Sequence, residues 1–265
     1  MTPVWLDGAL LDAAAARIDP ADRGFLLGDG LFETIRVLDG RPDRLAAHLA
    51  RLRAGAAVLE IPLPYGDDAL ASALAGLAGA ARIGSGSLRL TLTRGPGPRG
   101  LLPPGTPRPT VLATAAPAGP SLPPARVVVA TVTRRNERSP LSRLKTLNYL
   151  DGVMARQEAA RRGADDALML NGAGRLAEAT AANLFAVIDG RPVTPPVEEG
   201  ALPGIARAEA IARLGAVERP VALSDLARAT EIVLTSSLSI RPVVAVDGRP
   251  VGDGGPGSMA AALAT

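Results

Sequence analysis

The sequence predicts a mixed α+β protein built from two domains. Short apolar runs are joined by four Asp-Gly pairs, the residue types that tight β-hairpin turns favour, and these runs alternate with stretches of helical apolar spacing. A proline-rich segment has the composition of a semi-rigid linker. The predicted organisation is a smaller N-terminal domain over 1–116, a linker over 117–124 and a larger C-terminal domain over 125–265. The four hairpin turns are Asp7-Gly8, Asp39-Gly40, Asp189-Gly190 and Asp247-Gly248.

In the N-terminal part, strands are predicted at 4–6 and at 88–93, where leucine alternates with polar residues. Asp43 is predicted to cap a helix whose apolar residues recur at i, i+3, i+4 and i+7. An Ala-rich helix is predicted over 67–81, and a Gly/Pro-rich loop over 94–100. The apolar stripe of the first helix consists of Leu45, His48, Leu49 and Leu52, with Arg51 on its flank.

The C-terminal part alternates predicted strands with predicted helices, and no internal repeat is evident. Because the hairpin turns recur, we expect the strands to form largely antiparallel sheet. The expected elements are strands at 126–133, 167–170, 183–188 and 231–234, helices at 148–162 and 205–214, and a short final helix after a Gly-rich tail.

Composition excludes several classes of function. The 265 residues are 47% hydrophobic and 21% charged with a net charge of +3, which excludes a disordered chain. The arginines are interspersed with acids, and the six aromatic residues are too few for base-stacking platforms, so we expect no nucleic-acid partner. With no cysteine and a single histidine, His48, we expect no disulfide and no metal site. His48 lies on an apolar helix face and is expected to be structural. No membrane segment or secretory signal is evident, so a cytoplasmic location is expected.

Lys145 is the only lysine among 29 basic residues, a composition typical of a chain in which arginine replaces lysine wherever either would serve. A lysine amine can lose its proton near neutral pH and form an imine with a carbonyl, whereas a guanidinium stays protonated. Composition alone leaves open whether this lysine is reactive or an ordinary surface residue. Tyr149 follows closely and can hydrogen-bond an imine or a ring oxygen, although a packed helix position is the alternative.

Four further features fit a phosphorylated cofactor that acts as an electron sink. Glu178 stands among small and apolar residues, where a carboxylate can keep a pyridine nitrogen protonated. Gly204 precedes a predicted helix start, where free N–H groups favour an anion. Thr235-Ser236-Ser237 follows a predicted strand and offers hydroxyl groups, and Arg51 offers charge. Each feature is weak by itself, since glycines before helices and serine clusters in loops are common.

Taken together, the segments resemble the class IV (fold-type IV) pyridoxal-phosphate enzymes, which include branched-chain aminotransferases, D-amino-acid aminotransferases and aminodeoxychorismate lyases. The resemblance covers nearly the whole chain, and the order and spacing of the motifs are specific to this family. It implies a two-domain fold-type IV enzyme with a smaller α/β N-terminal domain and a larger domain with a β-barrel-like core. The motifs are Asp22-Arg23-Gly24-Phe25, the run 28–36, Ala47-His48-Leu49 with Arg51, Leu144 to Tyr149, Glu178 with Asn183-Leu184-Phe185, Leu202 to Arg207, and Thr235-Ser236-Ser237.

The resemblance implies roles for individual residues. Lys145 forms the Schiff base with pyridoxal 5'-phosphate and shuttles the proton, Glu178 pairs with the pyridine nitrogen, and Tyr149 lies near the phenolic oxygen or the imine. The phosphate is bound by Arg51, by the helix start at Gly204, Ile205 and Ala206, and by Ser236 and Ser237. The implied substrate residues are Phe32, Thr34, Arg36, Arg94 and Arg99, and a homodimer is implied in which the Arg99 loop reaches in from the partner subunit.

The chain also departs from the family pattern. Ala206 stands where the family often has threonine, and Phe32 stands where D-amino-acid aminotransferases have tyrosine. Those enzymes clamp the substrate carboxylate with an arginine and a histidine two residues later, whereas here Arg99 is followed by Gly100-Leu101. Arg94 or Arg36 is therefore expected to share the task.

The first functional hypothesis is a pyridoxal-phosphate-dependent aminotransferase that moves an amino group between an amino acid, including a D-amino acid, and a 2-keto acid. The alternative is a 4-amino-4-deoxychorismate lyase that releases pyruvate and leaves 4-aminobenzoate. A cofactor-free Schiff-base aldolase also needs one special lysine, but has no use for Arg51, Gly204 and Glu178 together. A non-catalytic binding module needs none of them.

Overall fold

The computed structural model describes residues 2–264, and the chain divides into two compact units. The first unit runs to Pro120 and also contains Lys145–Asn148; the second consists of Ser121–Leu144 and the chain from Tyr149 onward. The first division falls inside the segment proposed as linker. The sequence did not predict that Lys145–Asn148 would belong to the first unit.

The first unit is a six-stranded antiparallel sheet covered on one face by helices. The sheet order is β2-β1-β6-β5-β3-β4. Its elements are β1 (Pro3–Leu6), β2 (Ala9–Asp12), α1 (Arg23–Leu27), β3 (Gly30–Leu38), β4 (Arg41–Pro42), α2 (Leu45–Val58), α3 (Asp67–Ala80), β5 (Gly86–Thr93) and β6 (Thr110–Pro117).

Alternation along the strands gives this sheet one apolar and one polar face. Ile35 and Val37 on β3, and Leu88 and Leu90 on β5, are fully buried on the face that packs against α2 and α3. The α3 leucines Leu70, Leu74 and Leu77 are equally buried, as the i, i+4, i+7 spacing of this helix predicts. The opposite face carries the alternate residues of the same strands, among them Phe32 and Arg89.

The second unit is a nine-stranded mixed sheet that curls around its own core. The order is β12-β11-β10-β13-β14-β7-β8-β9, with β15 paired to β14. Its elements are β7 (Ala125–Val129), α4 (Leu150–Arg161), β8 (Asp166–Leu170), β9 (Leu176–Ala179), β10 (Asn183–Ile188), β11 (Arg191–Thr194), α5 (Ile205–Leu214), β12 (Val217–Glu218), β13 (Ala229–Thr235), β14 (Ile240–Val246), β15 (Arg249–Pro250) and α6 (Ser258–Ala264). Strand β9, at one end of the sheet, also contacts β10 from its middle. One apolar cluster contains side chains from β7 to β11, β13 and β14, so the core is barrel-like, as predicted. None of the helices within 2–264 is long and apolar enough to cross a bilayer.

The Asp-Gly turns are confirmed. Each aspartate (φ from 46° to 52°) and each glycine (φ from 73° to 96°) lies in the left-handed region. Two consecutive residues with positive φ are the mark of a type I′ turn, which suits the twist of a two-residue hairpin. The four turns join β1 to β2, β3 to β4, β10 to β11 and β14 to β15.

Two local predictions are wrong. Asp43 does not cap α2: its N–H donates to Arg36 O (2.7 Å) in the β3–β4 hairpin and its carboxylate pairs with Arg44, which is the N-cap residue at φ 52°. The strand at 126–133 ends earlier, at Val129. The hairpin takes the Asp43 backbone away from the position from which its side chain would reach the helix N–H groups.

Candidate functional site

Main-chain hydrogen bonds fix Lys145 against the beginning of β3 in the first unit. The Phe32 N–H donates to Lys145 O (2.9 Å) and the Leu147 N–H donates to Gly30 O (3.0 Å). A Cβ on Gly30 would lie 2.9 Å from Leu147 Cδ1 and 2.5 Å from the carbonyl oxygen of Leu92, so glycine is what allows this approach. Lys145 therefore extends from an ordered sheet edge and not from a free loop.

The Lys145 amine lies over the ring of Phe32 together with a second cation. Lys145 Nζ is 4.3 Å and Arg89 Cζ is 3.7 Å from the ring centre, both within the range of cation–π attraction. Phe32 itself is buried, with 6% exposure. We call Lys145, Phe32 and Arg89 the Lys145 cluster. Because both cations contact one ring, they lie within about 8 Å of each other.

Arg89 is a residue that the sequence analysis missed. It lies directly opposite Thr34 in the β3–β5 pairing, on the face that also carries Phe32 and Arg36. Thr34 is half-buried and Arg36 is exposed. The alternation at 88–93 predicts that the leucines face inward and that Arg89 faces outward. It does not predict that this strand pairs with β3.

Arg51 is held in a buried ionic cluster with Glu33 and His48. Arg51 donates through Nε to Glu33 Oε1 (2.8 Å) and through Nη2 to Oε2 (2.6 Å), and His48 Nδ1 lies 2.7 Å from Oε2. Glu33 and His48 are 1% and 0% exposed. Burial would raise the pKa of Glu33, but the hydrogen bonds from Arg51 and His48 outweigh it and lower that pKa. The guanidinium of Arg51 thus has one fixed orientation, and His48 is structural, as expected.

Arg94 lies in a different network. It donates through Nε to Asp29 (2.8 Å), through Nη1 to Glu60 O (2.9 Å) and through Nη2 to Leu59 O (2.7 Å), and it is buried. All three guanidinium nitrogens are therefore engaged by the protein. This position gives Arg94 a structural role that the sequence analysis did not assign.

The loop that carries Arg99 is anchored by Arg23. Arg23 donates through Nε to Asp29 (2.8 Å) and through its terminal nitrogens to the carbonyl oxygens of Gly100 (3.0 Å) and Leu101 (2.8 Å). Arg99 itself is exposed. Although burial acts to raise the pKa of Asp29, the two arginines lower it, so this carboxylate stays charged between them.

In the second unit, Glu178 lies on β9 and is 9% exposed. Its Oε2 accepts from the Leu202 N–H (2.9 Å) and from Asn183 Nδ2 (3.4 Å), while Oε1 lies 3.1 Å from Arg135 Nε. We call Glu178, Asn183, Arg135 and Leu202 the Glu178 cluster. A buried carboxylate with a cationic neighbour remains able to accept a further proton donor such as a pyridinium N–H.

The start of α5 fits an anion. Gly204 is its N-cap residue, and the N–H groups of Ile205 and Ala206 in the first turn have no intrahelical acceptor by the geometry of a helix. Ser236 and Ser237 follow β13, with Ser236 Oγ accepting from the N–H groups of Leu238 (3.2 Å) and Ser239 (3.1 Å). All five predicted residues here, Gly204, Ile205, Ala206, Ser236 and Ser237, are half-buried.

A buried hydroxyl beside this helix start supports the same conclusion. Thr235 Oγ1 is buried and has no hydrogen-bond partner among the described residues. Thr235 is the cross-strand neighbour of Asn183, and a Cβ added to Gly204 would lie 2.1 Å from Asn183 Oδ1. An unpartnered hydroxyl, helix N–H groups and serine hydroxyls together form the donor set that a phosphate group takes. The residues present therefore fit a phosphorylated cofactor.

Tyr149 is the N-cap residue of α4 in the second unit and is half-buried. Its ring is close to Gly152, where a Cβ would lie 3.9 Å from Tyr149 Cδ1 and 2.8 Å from Thr180 O. The first turn of α4 thus approaches the chain just after Glu178.

Comparisons with known proteins agree with this geometry. The family model described as "Amino-transferase class IV" matches residues 30–246. The chain is 34% identical over 259 residues to the putative branched-chain-amino-acid aminotransferase of Methanocaldococcus jannaschii, covering 94% of this chain and 89% of that protein. It is 30% identical over 268 residues to the D-alanine aminotransferase of Bacillus licheniformis, covering 97% and 92%.

Solved structures give the same result. The Escherichia coli branched-chain amino acid aminotransferase matches with a TM-score of 0.93 at 26% identity, covering 99% of this chain and 92% of that one. The 4-amino-4-deoxychorismate lyase of Pseudomonas aeruginosa matches with a TM-score of 0.82 at 36% identity, covering 94% of each chain.

Proposed function

The chain belongs to the class IV aminotransferases, and from this premise we propose that it transfers the amino group of an amino acid, including a D-amino acid, to a 2-keto acid. Enzymes of this family depend on pyridoxal 5'-phosphate. The observation that supports the proposal most directly is the Lys145 cluster, in which an amine and a guanidinium contact the same aromatic ring.

Pyridoxal 5'-phosphate, when bound, supplies an aldehyde that takes up amino groups and a ring that withdraws electrons from the substrate Cα. Lys145 Nζ would hold the aldehyde carbon covalently and, when released, take the proton from the substrate Cα and deliver it to the carbon that had been the aldehyde carbon. Glu178 would keep a proton on the pyridine nitrogen, and Tyr149 would hydrogen-bond the phenolic oxygen. Arg51, the α5 start at Gly204, Ile205 and Ala206, and the hydroxyls of Ser236 and Ser237 would hold the phosphate.

Arg89 is proposed as the residue that binds the substrate carboxylate. A guanidinium holds a carboxylate in a bidentate pair, and because Arg89 Cζ and Lys145 Nζ are at most about 8 Å apart, one amino acid is long enough to contact both groups. Thr34 and Arg36 share this sheet face, and Arg99 is proposed to contribute from its loop. Since Arg94 is engaged by Asp29 and two carbonyl oxygens, we leave it out of the carboxylate site.

We also propose a homodimer. The first unit exposes large apolar side chains in two separate segments, with Phe25 at 78%, Leu101 at 82% and Leu102 at 84% exposure. Arg23, which begins α1, is hydrogen-bonded to the carbonyl oxygens of Gly100 and Leu101, so these side chains belong to one region. A surface of this kind favours burial against another protein. Sedimentation equilibrium would give twice the chain mass; a monomer at micromolar concentration would contradict it.

A second candidate function is 4-amino-4-deoxychorismate lyase activity, favoured by the 36% identity to the Pseudomonas aeruginosa lyase, above the 26% to the Escherichia coli aminotransferase. The two reactions share their residues as far as loss of the Cα proton. The test is to supply the cofactor-loaded protein separately with D-alanine, L-leucine and aminodeoxychorismate, with 2-oxoglutarate present. Amino-group transfer from either amino acid supports the first function, and 4-aminobenzoate with pyruvate supports the second. Absence of all products would refute both.

A further inference from the structure

Asn183 is the point at which the Glu178 cluster meets the start of α5. It is 5% exposed and begins β10. Asn183 Nδ2 donates to Leu202 O (2.9 Å) and lies 3.4 Å from Glu178 Oε2, which in turn accepts from the Leu202 N–H (2.9 Å). Both backbone polar groups of Leu202 are thereby tied, one to each of these side chains.

The tied peptide leads directly into the helix start. Only Pro203 separates Leu202 from Gly204, the N-cap residue of α5. Asn183 Oδ1 comes so close to Gly204 that an added Cβ would lie 2.1 Å from it. The same asparagine is paired through its backbone with Thr235, whose chain continues into Ser236 and Ser237.

We propose that Asn183 is a positioning residue that fixes the distance between the acid for the pyridine nitrogen and the donors for the phosphate. This inference rests on the proposed function, because it takes Glu178 and the α5 start as the two ends of one cofactor site. A rigid cofactor requires both ends at a set separation, and misplacement by a fraction of an ångström weakens one end or the other. Asn183 touches both ends and contributes no group to the reaction.

The test compares the binding of pyridoxal 5'-phosphate with that of pyridoxal, which lacks the phosphate. Cofactor-free protein is titrated with each compound. The dissociation constant of pyridoxal divided by that of pyridoxal 5'-phosphate measures how much the phosphate group contributes to binding. We expect Asn183→Ala to reduce this ratio by about 10-fold or more, because the α5 start is no longer held in register. Glu178→Gln keeps an oxygen that can accept from the Leu202 N–H, so we expect the ratio to change by less than about 3-fold even as turnover falls.

Thr194→Val is the matched control. Thr194 is fully buried in the same sheet and donates to Leu184 O (2.7 Å), so this variant also loses one buried hydrogen bond to a carbonyl oxygen. It should lower the melting temperature and leave the ratio unchanged. If Asn183→Ala does not fold, Asn183→Asp, which keeps the side-chain size but loses both N–H donors, gives the deciding ratio.

The outcomes separate the two ideas. A wild-type protein that binds neither compound would refute the proposed function. A wild-type protein that favours the phosphorylated compound, with an unchanged ratio in the folded Asn183 variant, would overturn only the positioning role.

Discussion

Arg89 Cζ lies 3.7 Å from the centre of the Phe32 ring, on the same sheet face as Thr34 and with Lys145 Nζ 4.3 Å from that ring. Stacking on an aromatic ring orients the planar guanidinium, which is what bidentate recognition of a carboxylate requires. The relationship depends on three segments that are distant in sequence.

Replacing Arg89 by glutamine is expected to reduce kcat/KM for an amino acid substrate by roughly 100-fold, because the charge-assisted pair with the carboxylate is lost. Arg89→Lys keeps the positive charge but cannot form a bidentate pair, so its kcat/KM should fall between those of wild type and Arg89→Gln. Steady-state kinetics with the preferred amino donor measures the effect. Arg161→Gln, on the exposed end of α4, is the control and should behave as wild type. Equal kinetics for Arg89→Gln and wild type would exclude Arg89 from the site.

Lys145 is the only lysine of the chain, which makes its covalent chemistry simple to detect. Borohydride reduction of the cofactor-loaded protein should add one pyridoxyl phosphate group, and peptide mapping should locate it at Lys145. Lys145→Ala should give no such adduct and no turnover, while melting at a similar temperature. An adduct at the N-terminal amine alone would contradict the assignment.

The sequence predicted best those elements whose cause is local. All four Asp-Gly turns lie where expected, and α5 and β10 have the predicted bounds, since turn chemistry and apolar period act within a few residues. Asp43 failed as a cap because the pairing of β3 with β4 holds its backbone, a constraint from outside the helix.

The proposed site residues divide along the same line. Lys145 is the only lysine of the chain and Glu178 is an acid among small and apolar residues, so the sequence singled out both. Arg89 and Asn183 are ordinary in type, and the roles proposed for them come from strand register and side-chain contacts, although Asn183 already lies in one of the family motifs. The signal available in advance for Arg89 was its position on the polar face of a predicted strand.

Glu33 is expected to be far more important for stability than a surface acid with a similar partner. Glu33→Gln weakens the pairing of two buried partners, Arg51 and His48, and should lower the free energy of unfolding by about 3–5 kcal/mol. It should also weaken binding of pyridoxal 5'-phosphate, since Arg51 loses its fixed orientation. Urea denaturation and a cofactor titration measure the two effects.

The comparison for Glu33 is Asp67, the first residue of α3, which pairs with Arg53 of α2. Asp67 is 56% exposed in its side chain, so Asp67→Asn should cost less than about 1 kcal/mol and leave cofactor binding unaltered. A similar loss of unfolding free energy in both variants would mean that burial does not make the pairing of Glu33 with Arg51 and His48 more stabilising than a surface ion pair.

We expect Glu158 to stabilise the second unit by an amount that falls at acid pH. Burial would raise its pKa, but hydrogen bonds from Thr131, Val132 and Arg162 outweigh burial and lower the pKa from 4.5 to about 2. A carboxylate whose pKa is lowered in the folded state stabilises the protein at pH values above its unfolded-state pKa. This contribution is lost as the pH falls through the folded-state pKa.

The stability difference between wild type and Glu158→Gln should therefore be largest above pH 4.5 and should shrink toward pH 2. Urea midpoints measured across this range give the difference directly. A difference that stays constant with pH would show that the charge of Glu158 plays no part.

We expect the half-buried carboxylate of Asp29 to order the loop that carries Arg99. Its Oδ2 accepts from Arg23 Nε and Arg94 Nε, each at 2.8 Å, and Arg23 holds the carbonyl oxygens of Gly100 and Leu101. Asp29→Asn removes the charge that holds both arginines, so amide hydrogen exchange over 98–105 should quicken by at least about 10-fold. Asp68→Asn, an exposed acid at the start of α3, should leave exchange there unchanged.

If the loop serves the substrate, the Asp29 variant should raise KM more than it lowers kcat, because substrate binding is lost while the reacting groups at Lys145 stay in place. In that background, Arg99→Ala should have a smaller effect than in wild type, since a loosened loop no longer presents the guanidinium. Additive effects of the two substitutions would mean that Asp29 stabilises the first unit without positioning Arg99.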